Sequence, residues 1–222
     1  MDDKRTTARR LATDAIAAGR PLDWFEQLYA GAASEGLVVP WADRAPNPNL
    51  IGLYEKVRHL SLGRKALKVG CGFGDDAEWL AQQGFEVTAF DISPSAIAEC
   101  RRRFPQTPVK YLTMDLFATP AEWDGAFDVV QESYTLQVLP AELREAALRK
   151  ICGFLAPGGH LLFVCRGRRE SEPMGTMPWP LTRHELDLLP ALGLTEILFE
   201  DYMDGEDPPV RRFRACYRRD QE

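Results

Sequence analysis

The sequence is poor in the features that mark metal proteins, disulfide-rich secreted proteins and membrane proteins. It has three histidines and five cysteines in 222 residues, and no two cysteines form a Cys-x-x-Cys pair. Neither a zinc site nor a disulfide framework is therefore expected, and scattered thiols favour a reducing compartment. No stretch holds eighteen consecutive apolar residues. The sequence thus predicts a cytoplasmic protein with neither a metal nor a membrane partner.

Positive charge is also scarce. Lysine and arginine number 27 against 33 acidic residues, which gives a net charge of −6 and a pI near 5.3. A nucleic-acid-binding protein draws much of its affinity from a surplus of basic residues, so that class of partner is not expected. The short basic runs, such as "RRRF" and "RRFRACYRR", are interpreted as solvated ends of secondary-structure elements.

The length allows one substantial core with an N-terminal appendage. Residues 1–48 are predicted to form a helical lid that ends in a proline-rich loop, and residues 49–222 the main domain. The helical pattern runs from Thr6 to Ala33 and breaks at Gly19–Pro21, because proline can start but not continue a helix. The loop "GLVVPWADRAPNPNL" that follows is interpreted as irregular structure and as a pocket wall or lid.

From residue 50 onward, short apolar runs alternate with amphipathic helical ones. The runs "KALKVG", "FEVTAF", "VKYLTM", "FDVVQES" and "HLLFVCR" predict parallel strands covered by helices on both faces. The last two β-rich runs, "TEILFEDYM" and "VRRFRACYRR", have no helix between them and predict an antiparallel hairpin. The predicted fold class is therefore α/β: a Rossmann-like seven-stranded sheet, mostly parallel, with an antiparallel C-terminal hairpin strand and an N-terminal helical lid.

Helix starts and a turn can also be predicted locally. Ser93 and Pro94 are suited to the N-cap and first position of a helix, and Thr182 with Glu185 to a capping box. The segment "APGG", residues 156–159, predicts a turn before the fifth strand.

Three glycines lie within five positions in "KVGCGFGDD", at Gly70, Gly72 and Gly74. A dinucleotide fingerprint would have its third glycine where Asp75 stands. Asp75 and Asp76 place two carboxylates at a helix start, which repel phosphate while interacting favourably with the helix dipole. The loop therefore predicts a ligand without phosphates, although a tight strand-to-helix turn alone would also require glycine.

Two more acids end the next two predicted strands. Asp91 lies 21 residues after Gly70, where a carboxylate can accept hydrogen bonds from both hydroxyls of an adenosine ribose. Asp115 is placed to accept from an exocyclic adenine amine, with Leu116 against the ring. Because open α/β sheets bind ligands at the carboxyl ends of their strands, these features predict one adenosine site.

The sequence resembles the class I S-adenosylmethionine-dependent methyltransferases. The resemblance spans about residues 49–219 and rests on "KVGCGFG", "TAFDIS", "LTMDLF", "FDVVQESYTLQVLP" and "LAPGGHLLFV", in that order, with the terminal hairpin. It implies S-adenosylmethionine as cofactor and S-adenosylhomocysteine as product. It also implies cofactor contacts by a set of residues along these motifs: Gly70, Cys71, Gly72, Gly74, Asp91, Ile92, Asp115, Leu116 and Glu132.

Lys68 departs from the pattern of that family. The family commonly has an acid two residues before its first motif glycine, and this acid often braces the glycine loop. The brace must therefore be absent or supplied by another residue, such as Asp75 or Glu132.

The N-terminal region is similar to that of the thiol, halide and thiopurine methyltransferases, in which aromatic residues and a proline-rich stretch close over the cofactor. In "DWFEQLYAGAASEGLVVPWADRAPNPNL" the aromatic residues are Trp24, Tyr29 and Trp41. The resemblance implies cofactor contacts by Trp24 and Trp41. The alternative is that both tryptophans only pack the appendage against the domain.

Candidate catalytic groups lie near the end of the fourth predicted strand, where the resemblance implies that residues 131–134 face the methyl group. Glu132 and Tyr134 are the tentative catalytic residues, with Gln137 nearby and no histidine in that stretch. A hydroxyl acceptor would need a base, so thiols, halides or ring nitrogens are favoured. Catalysis would then rest mainly on positioning and desolvation.

The second variable segment follows the fifth predicted strand. Its Met174, Met177 and Trp179 suit one wall of a pocket for a flat, apolar small molecule. Arg166 is either a surface arginine or a partner for substrate charge. Two other functions remain open from the sequence: a nicotinamide-dependent oxidoreductase and a non-catalytic S-adenosylmethionine-binding protein. The expected assembly is a monomer or weak homodimer.

Overall fold

The computed structural model describes residues 4–221, which form a mixed sheet with helices on both faces. The predicted lid begins at residue 1 and the predicted domain ends at residue 222, so residues 1–3 and 222 of those predictions lie outside the described residues. The helices are α1 (Thr6–Ala17), α2 (Asp23–Ser34), α3 (Pro48–Val57), α4 (Asp75–Gln82), α5 (Pro94–Arg103), α6 (Ala141–Gly153) and α7 (Leu188–Ala191). The strands are β1 (Lys65–Val69), β2 (Glu86–Asp91), β3 (Lys110–Thr113), β4 (Phe127–Ser133), β5 (Leu155–Arg166), β6 (Leu194–Met203) and β7 (Arg211–Arg219).

The seven strands lie in the order β3-β2-β1-β4-β5-β7-β6. The first five in chain order pair in parallel, whereas β7 runs antiparallel to both β5 and β6. This arrangement confirms the predicted Rossmann-like sheet with its antiparallel C-terminal hairpin. The strand order reverses between β1 and β4, and the crevice at such a switch point is where open α/β sheets bind ligands.

Each face of the sheet has its own apolar core. On one face α4 and α5 cover β1, β2 and β3, and α3 lies over β5 and β7, with Leu53, Leu80 and Ile97 completely buried. On the other face α6 packs on β5 and α7 on β6, with Ile151 and Leu189 completely buried. Covering both faces explains why the central strands read as continuous apolar runs.

Helices α1 and α2 form a third layer that packs across the crevice against α5. The alanines of α1 (Ala8, Ala12 and Ala15) allow close contact between the two helices. Glu26 of α2 fixes the layer to the start of α5, because its carboxylate accepts hydrogen bonds from the Ser93 hydroxyl at 2.5 Å and the Ser95 hydroxyl at 2.7 Å. We call α1, α2 and the loop to α3 the lid.

The local start signals behave as the sequence predicts, but two boundaries differ. Ser93 caps α5 through the backbone N–H of Ala96, and Thr182 and Glu185 exchange capping hydrogen bonds. The predicted turn at residues 156–159 lies within the bounds of β5, as the irregularity between the Phe127–Leu155 and Val129–His160 pairs, where Gly158 has a φ of +77°. The helix predicted after Thr182 is reduced to a short 3-10 turn and the four residues of α7.

Candidate active site

One cavity of about 520 Å³ lies over the carboxyl ends of the central strands and beneath the lid. Its volume is within the range of about 300–1,000 Å³ typical of small-molecule sites. The wall includes the loop after β1, the ends of β2 and β4, the segment after β5 and part of the β6–β7 loop. Segments far apart in sequence therefore share one chamber.

The glycine loop has the backbone that its sequence predicts. Gly70 and Gly72 line the cavity with φ of +58° and +53°, in the left-handed region that favours glycine. A Cβ at Gly70 would lie 2.3 Å from Thr135 Oγ1, so no side chain fits there. The backbone of this loop is thus held open to a ligand, and Cys71 lines the cavity beside it.

Asp91 joins the glycine loop to the end of β2. Its Oδ2 accepts the Gly72 N–H at 2.8 Å and its Oδ1 accepts the Ser93 N–H at 3.0 Å. Burial raises the pKa of Asp91, and these backbone N–H groups, with Lys68 nearby, act in the opposite direction. Asp91 lines the cavity, so it both braces the loop and presents a carboxylate to the chamber.

A second brace comes from Arg103 at the end of α5. Its guanidinium binds both oxygens of Asp75, at 2.6 and 2.8 Å, and also donates to the Phe73 carbonyl at 2.7 Å. This bidentate pair ties the loop to α5. The loop therefore has two braces, which explains how it keeps its shape without the acid that the family commonly carries at position 68.

Lys68 lies at the centre of a buried set of acids. Only 2% exposed, it lines the cavity, and its Nζ donates to the Val69 carbonyl at 3.1 Å and lies 3.8 Å from Asp76 Oδ2. Its positive charge lowers the pKa of Asp76, Asp91 and Glu132, while burial raises all three. Lys68 thus supplies the cation that lets carboxylates lie this close together.

Glu132 lies behind the cavity wall rather than on it. It is fully buried, and its Oε1 accepts the backbone N–H groups of Thr135 at 2.6 Å and Leu136 at 3.1 Å. Its Oε2 is buried without a hydrogen-bond partner among residues 4–221. Burial raises the pKa of Glu132 to about 7. This side chain fixes the turn after β4 and is not among the residues that line the chamber.

The residues predicted for the adenosine lie together on one side of the cavity. Ile92, Asp115 and Leu116 all line it, next to Asp91. Asp115 Oδ1 accepts the Phe117 N–H at 2.9 Å, which holds the carboxylate at the end of β3. Gly74, in contrast, lies off the wall and begins α4.

The aromatic residues of the lid divide into two groups. Trp41 and Tyr29 line the cavity, and the Trp41 Nε1–H donates to the Tyr29 hydroxyl at 2.8 Å. Trp24 is fully buried within the lid, stacks on Phe25 with ring centroids 4.0 Å apart and does not reach the cavity. Phe25 lines the chamber in its place. Sequence alone could not tell which of these two neighbouring rings would face inward.

Tyr134 directly follows β4 and lines the chamber. Its φ of +66° is a strained backbone conformation for an aromatic residue, which points to a functional constraint. Its hydroxyl accepts from Asn49 Nδ2 at 2.9 Å, and burial raises its pKa, partly offset by Arg212. Ser133, Thr135 and Tyr134 line the cavity, so the predicted strand end does face the chamber.

The segment after β5 contributes fewer residues than its composition predicts. Met177 lines the cavity and is buried, whereas Met174 is exposed and Trp179 packs against the lid core. Arg166 lines the chamber, and its backbone N–H donates to Gln137 Oε1 at 2.7 Å. Pro178, Glu206 and Arg212 complete this end, and no motif in the sequence indicates them.

Residues 4–221 show no histidine in the cavity wall, no cluster arranged as a metal site and no membrane-spanning helix. None of the three histidines lines the cavity. Across residues 4–221, no group of three or more His, Cys, Asp or Glu side chains is arranged to hold a metal ion. No helix in that range has the length and apolar character needed to cross a bilayer.

Comparison with known proteins gives the same fold. A methyltransferase-domain family matches residues 66–159. Thiopurine S-methyltransferase of Vibrio atlanticus (strain LGP32) is 26% identical over 182 residues, or 75% of this chain and 82% of the relative. Ubiquinone biosynthesis O-methyltransferase of Chromobacterium violaceum is 33% identical over 114 residues, 50% of this chain and only 48% of that relative.

Among solved structures, 1,6-didemethyltoxoflavin-N1-methyltransferase of Burkholderia thailandensis has a TM-score of 0.70 and 18% identity. The match covers 95% of this chain and 91% of that one. Fold, motif order and cavity thus define a Rossmann-like methyltransferase. These findings support a class I S-adenosylmethionine-dependent methyltransferase, near the thiopurine methyltransferase branch. This replaces the nicotinamide-dependent alternative that the glycine spacing left open.

Proposed function

We propose that this methyltransferase acts on a small, flat nucleophile, a thiol or ring nitrogen in preference to a hydroxyl, bound in the same chamber as the cofactor. The observation that carries the proposal is the shared cavity. Gly70, Gly72 and Asp91 lie on one side of it, and Phe25, Tyr134 and Met177 line its remaining wall. The names of the Vibrio and Burkholderia enzymes, which specify sulfur and ring-nitrogen methylation, are consistent with this choice.

The residues of the first side fit S-adenosylmethionine. The open glycine loop, with Lys68 and Asp76, suits the zwitterionic methionine part of the cofactor. Asp91 and Ile92 suit its ribose. Asp115 and Leu116 suit its adenine. The bound cofactor supplies an electrophilic methyl group on a sulfonium. Trp41 and Tyr29 of the lid exclude water from that side of the chamber.

Neither predicted catalytic residue is a strong general base on the acceptor side of the chamber. Tyr134 has a raised pKa, and Glu132 is buried behind the wall with one oxygen already bound to backbone N–H groups. Neither group is poised to take a proton from a hydroxyl at neutral pH. We therefore assign Tyr134 to positioning the acceptor and Glu132 to shaping the turn. Rate enhancement then comes from orientation and desolvation, which suit an acceptor that is already nucleophilic.

A turnover screen tests this function. The protein is incubated with S-adenosylmethionine and matched thiols, ring nitrogens and phenols, and products are scored by mass spectrometry for one added methyl group. We expect methylated thiols or ring nitrogens and little phenol product, with activity lost in Asp91→Asn. Methylation confined to phenols would contradict the acceptor class. S-adenosylhomocysteine binding without turnover of any acceptor would favour the non-catalytic alternative.

A further inference from the structure

We infer that the acceptor carries a carboxylate, and that Arg166 binds this group where the end of β5 and the β6–β7 loop line the chamber. The inference rests on the proposed function, because it places the carboxylate on the acceptor of the same chamber. It starts from the position of Arg166, the last residue of β5, which is half-buried and lines the cavity.

The guanidinium of Arg166 has no hydrogen bond or ion pair within the part of the chain that the structure describes. Two other arginines, Arg168 and Arg144, do have such partners. Arg168 donates to the carbonyls of Pro180 and Glu172, and Arg144 binds Glu185 at 2.6 Å. A half-buried guanidinium loses part of its hydration, which is unfavourable unless an anion binds it. Because Arg166 lines a ligand chamber and has no such anion from the described part of the protein, we expect the ligand to supply one.

The antiparallel register places Arg212 directly opposite Arg166. Like charges directly opposite in a sheet are destabilising. Arg212 is neutralised by Asp204, whose carboxylate lies 2.5 Å from its Nε, and by Glu206. Burial lowers the pKa of Arg166, and the positive charges of Arg5 and Arg212 lower it further.

The carboxylates at this end of the chamber are already engaged by Arg212. Asp204 and Glu206 both bind its guanidinium. Glu206 also lines the cavity and attracts Arg166, but its carboxylate is held by Arg212. Tyr134 has a raised pKa and stays neutral. One monoanionic ligand group would therefore give Arg166 the kind of partner that Arg212 already has.

The chemistry of arginine selects the kind of anion. A guanidinium presents a planar fork of N–H donors that matches a carboxylate in two parallel hydrogen bonds. The apolar wall beside it, formed by Phe25, Met177 and Pro178, suits a flat ring. The acceptor class is therefore an aromatic or heteroaromatic monocarboxylate that also carries the nucleophilic sulfur or nitrogen.

The test uses the whole protein saturated with S-adenosylhomocysteine and measures ligand binding by calorimetry. The ligands are 2-mercaptobenzoate, salicylate and nicotinate, each compared with its own methyl ester. We expect at least one acid to bind about tenfold or more tightly than its ester in the wild type, because a charged hydrogen-bonded pair is lost in the ester. We expect added salt to reduce that preference.

Variants test whether Arg166 causes the preference for the acid over its ester. Arg166→Gln should abolish it, and Glu206→Gln should increase it by removing a competing carboxylate. The matched control is Arg218→Gln, an exposed arginine at the opposite end of the same β5–β7 pair, where we expect no change. Should Arg166→Gln fail to fold, the wild-type preference and the Glu206→Gln change still decide the matter.

Two results would overturn the inference. One is equal binding of acid and ester, or no measurable binding, for all three pairs in the wild type. The other is an acid preference that persists in folded Arg166→Gln. Loss of the S-adenosylhomocysteine binding that precedes these titrations would instead contradict the cofactor assignment, so the two failures are distinguishable.

Discussion

The two sides of the chamber are built in different ways. The proposed cofactor side consists of contiguous motifs at successive strand ends, braced by Asp91 and by the Asp75–Arg103 pair. The acceptor side gathers single residues from α2, the turn after β4, the segment after β5 and the β6–β7 loop. The first side is fixed by backbone geometry. The second is fixed by side chains that can change without altering the fold, as expected where substrate choice is decided.

The largest expected effect breaks the cofactor side at its backbone. Gly70→Ala places a Cβ 2.3 Å from Thr135 Oγ1 at a φ of +58°. We expect S-adenosylhomocysteine affinity to fall at least a hundredfold by calorimetry, with loss of more than the 1–2 kcal/mol of stability that a left-handed residue costs. Gly36→Ala is the control, since it has a φ of +72° with open space around it. Equal loss of affinity in both variants would contradict the steric argument.

The next effect separates ligand binding from loop bracing. Asp91→Asn keeps an acceptor oxygen but removes the charge, so we expect roughly tenfold to hundredfold weaker S-adenosylhomocysteine binding. The melting temperature should also fall, because the Gly72 N–H loses its charged partner. Asp128→Asn is the matched control, since Asp128 accepts two backbone N–H groups, of Arg64 and Lys65, away from the cavity wall. Unchanged affinity in Asp91→Asn would refute the ribose assignment.

A smaller effect concerns the pH dependence of stability without ligand. The pKa of Glu132 rises from an ordinary 4.5 to about 7 in the folded chain. The folded protein then binds more protons than the unfolded one across that window, so stability falls as pH rises from about 4.5 to 7, by about 3 kcal/mol at most. Glu132→Gln should flatten this decline in urea titrations at pH 5, 6 and 7. A parallel decline in both proteins would exclude Glu132 as its cause.

The smallest expected effect concerns the lid, which covers both sides. Glu26→Gln removes the charge that accepts hydrogen bonds from Ser93 and Ser95, which we expect to loosen α2 by about 1 kcal/mol. Hydrogen exchange of α2 should quicken, and S-adenosylhomocysteine affinity should fall about fivefold. Glu35→Gln, just beyond the end of α2 and exposed, is the control. Faster hydrogen exchange in Glu35→Gln alone would contradict the role of Glu26 in holding α2 against α5.

The difference between the two sides of the chamber also explains which parts of the structure the sequence could predict. Strand alternation, the glycine loop and the acids at strand ends are local signals, so the sheet and the presence of Asp91 and Asp115 on the cavity wall were predictable. The choice of Phe25 over Trp24, and the position of Glu132 behind the wall, depend on packing of the lid and of the turn after β4. Arg212 and Glu206 enter the site only through strand pairing, which no local pattern encodes.

Lys68 is the clearest example of what could not be predicted from the sequence. The sequence showed a departure from the family pattern but not its compensation. That compensation needs Asp91 from β2 and Arg103 from α5, which lie 23 and 35 residues further along the chain. The fold alone brings them to the loop.

The central claim is that the braced side of the chamber binds S-adenosylmethionine and its product. A thermal-shift titration of the wild type with S-adenosylhomocysteine and, separately, NAD tests it most directly. Ligand at a hundredfold its Kd stabilises a native protein by about 2.7 kcal/mol, which corresponds to a rise in Tm of about 5–10 °C for a chain of this size. We predict that rise with S-adenosylhomocysteine and none with NAD. A rise with NAD alone, or with neither ligand, would contradict the account.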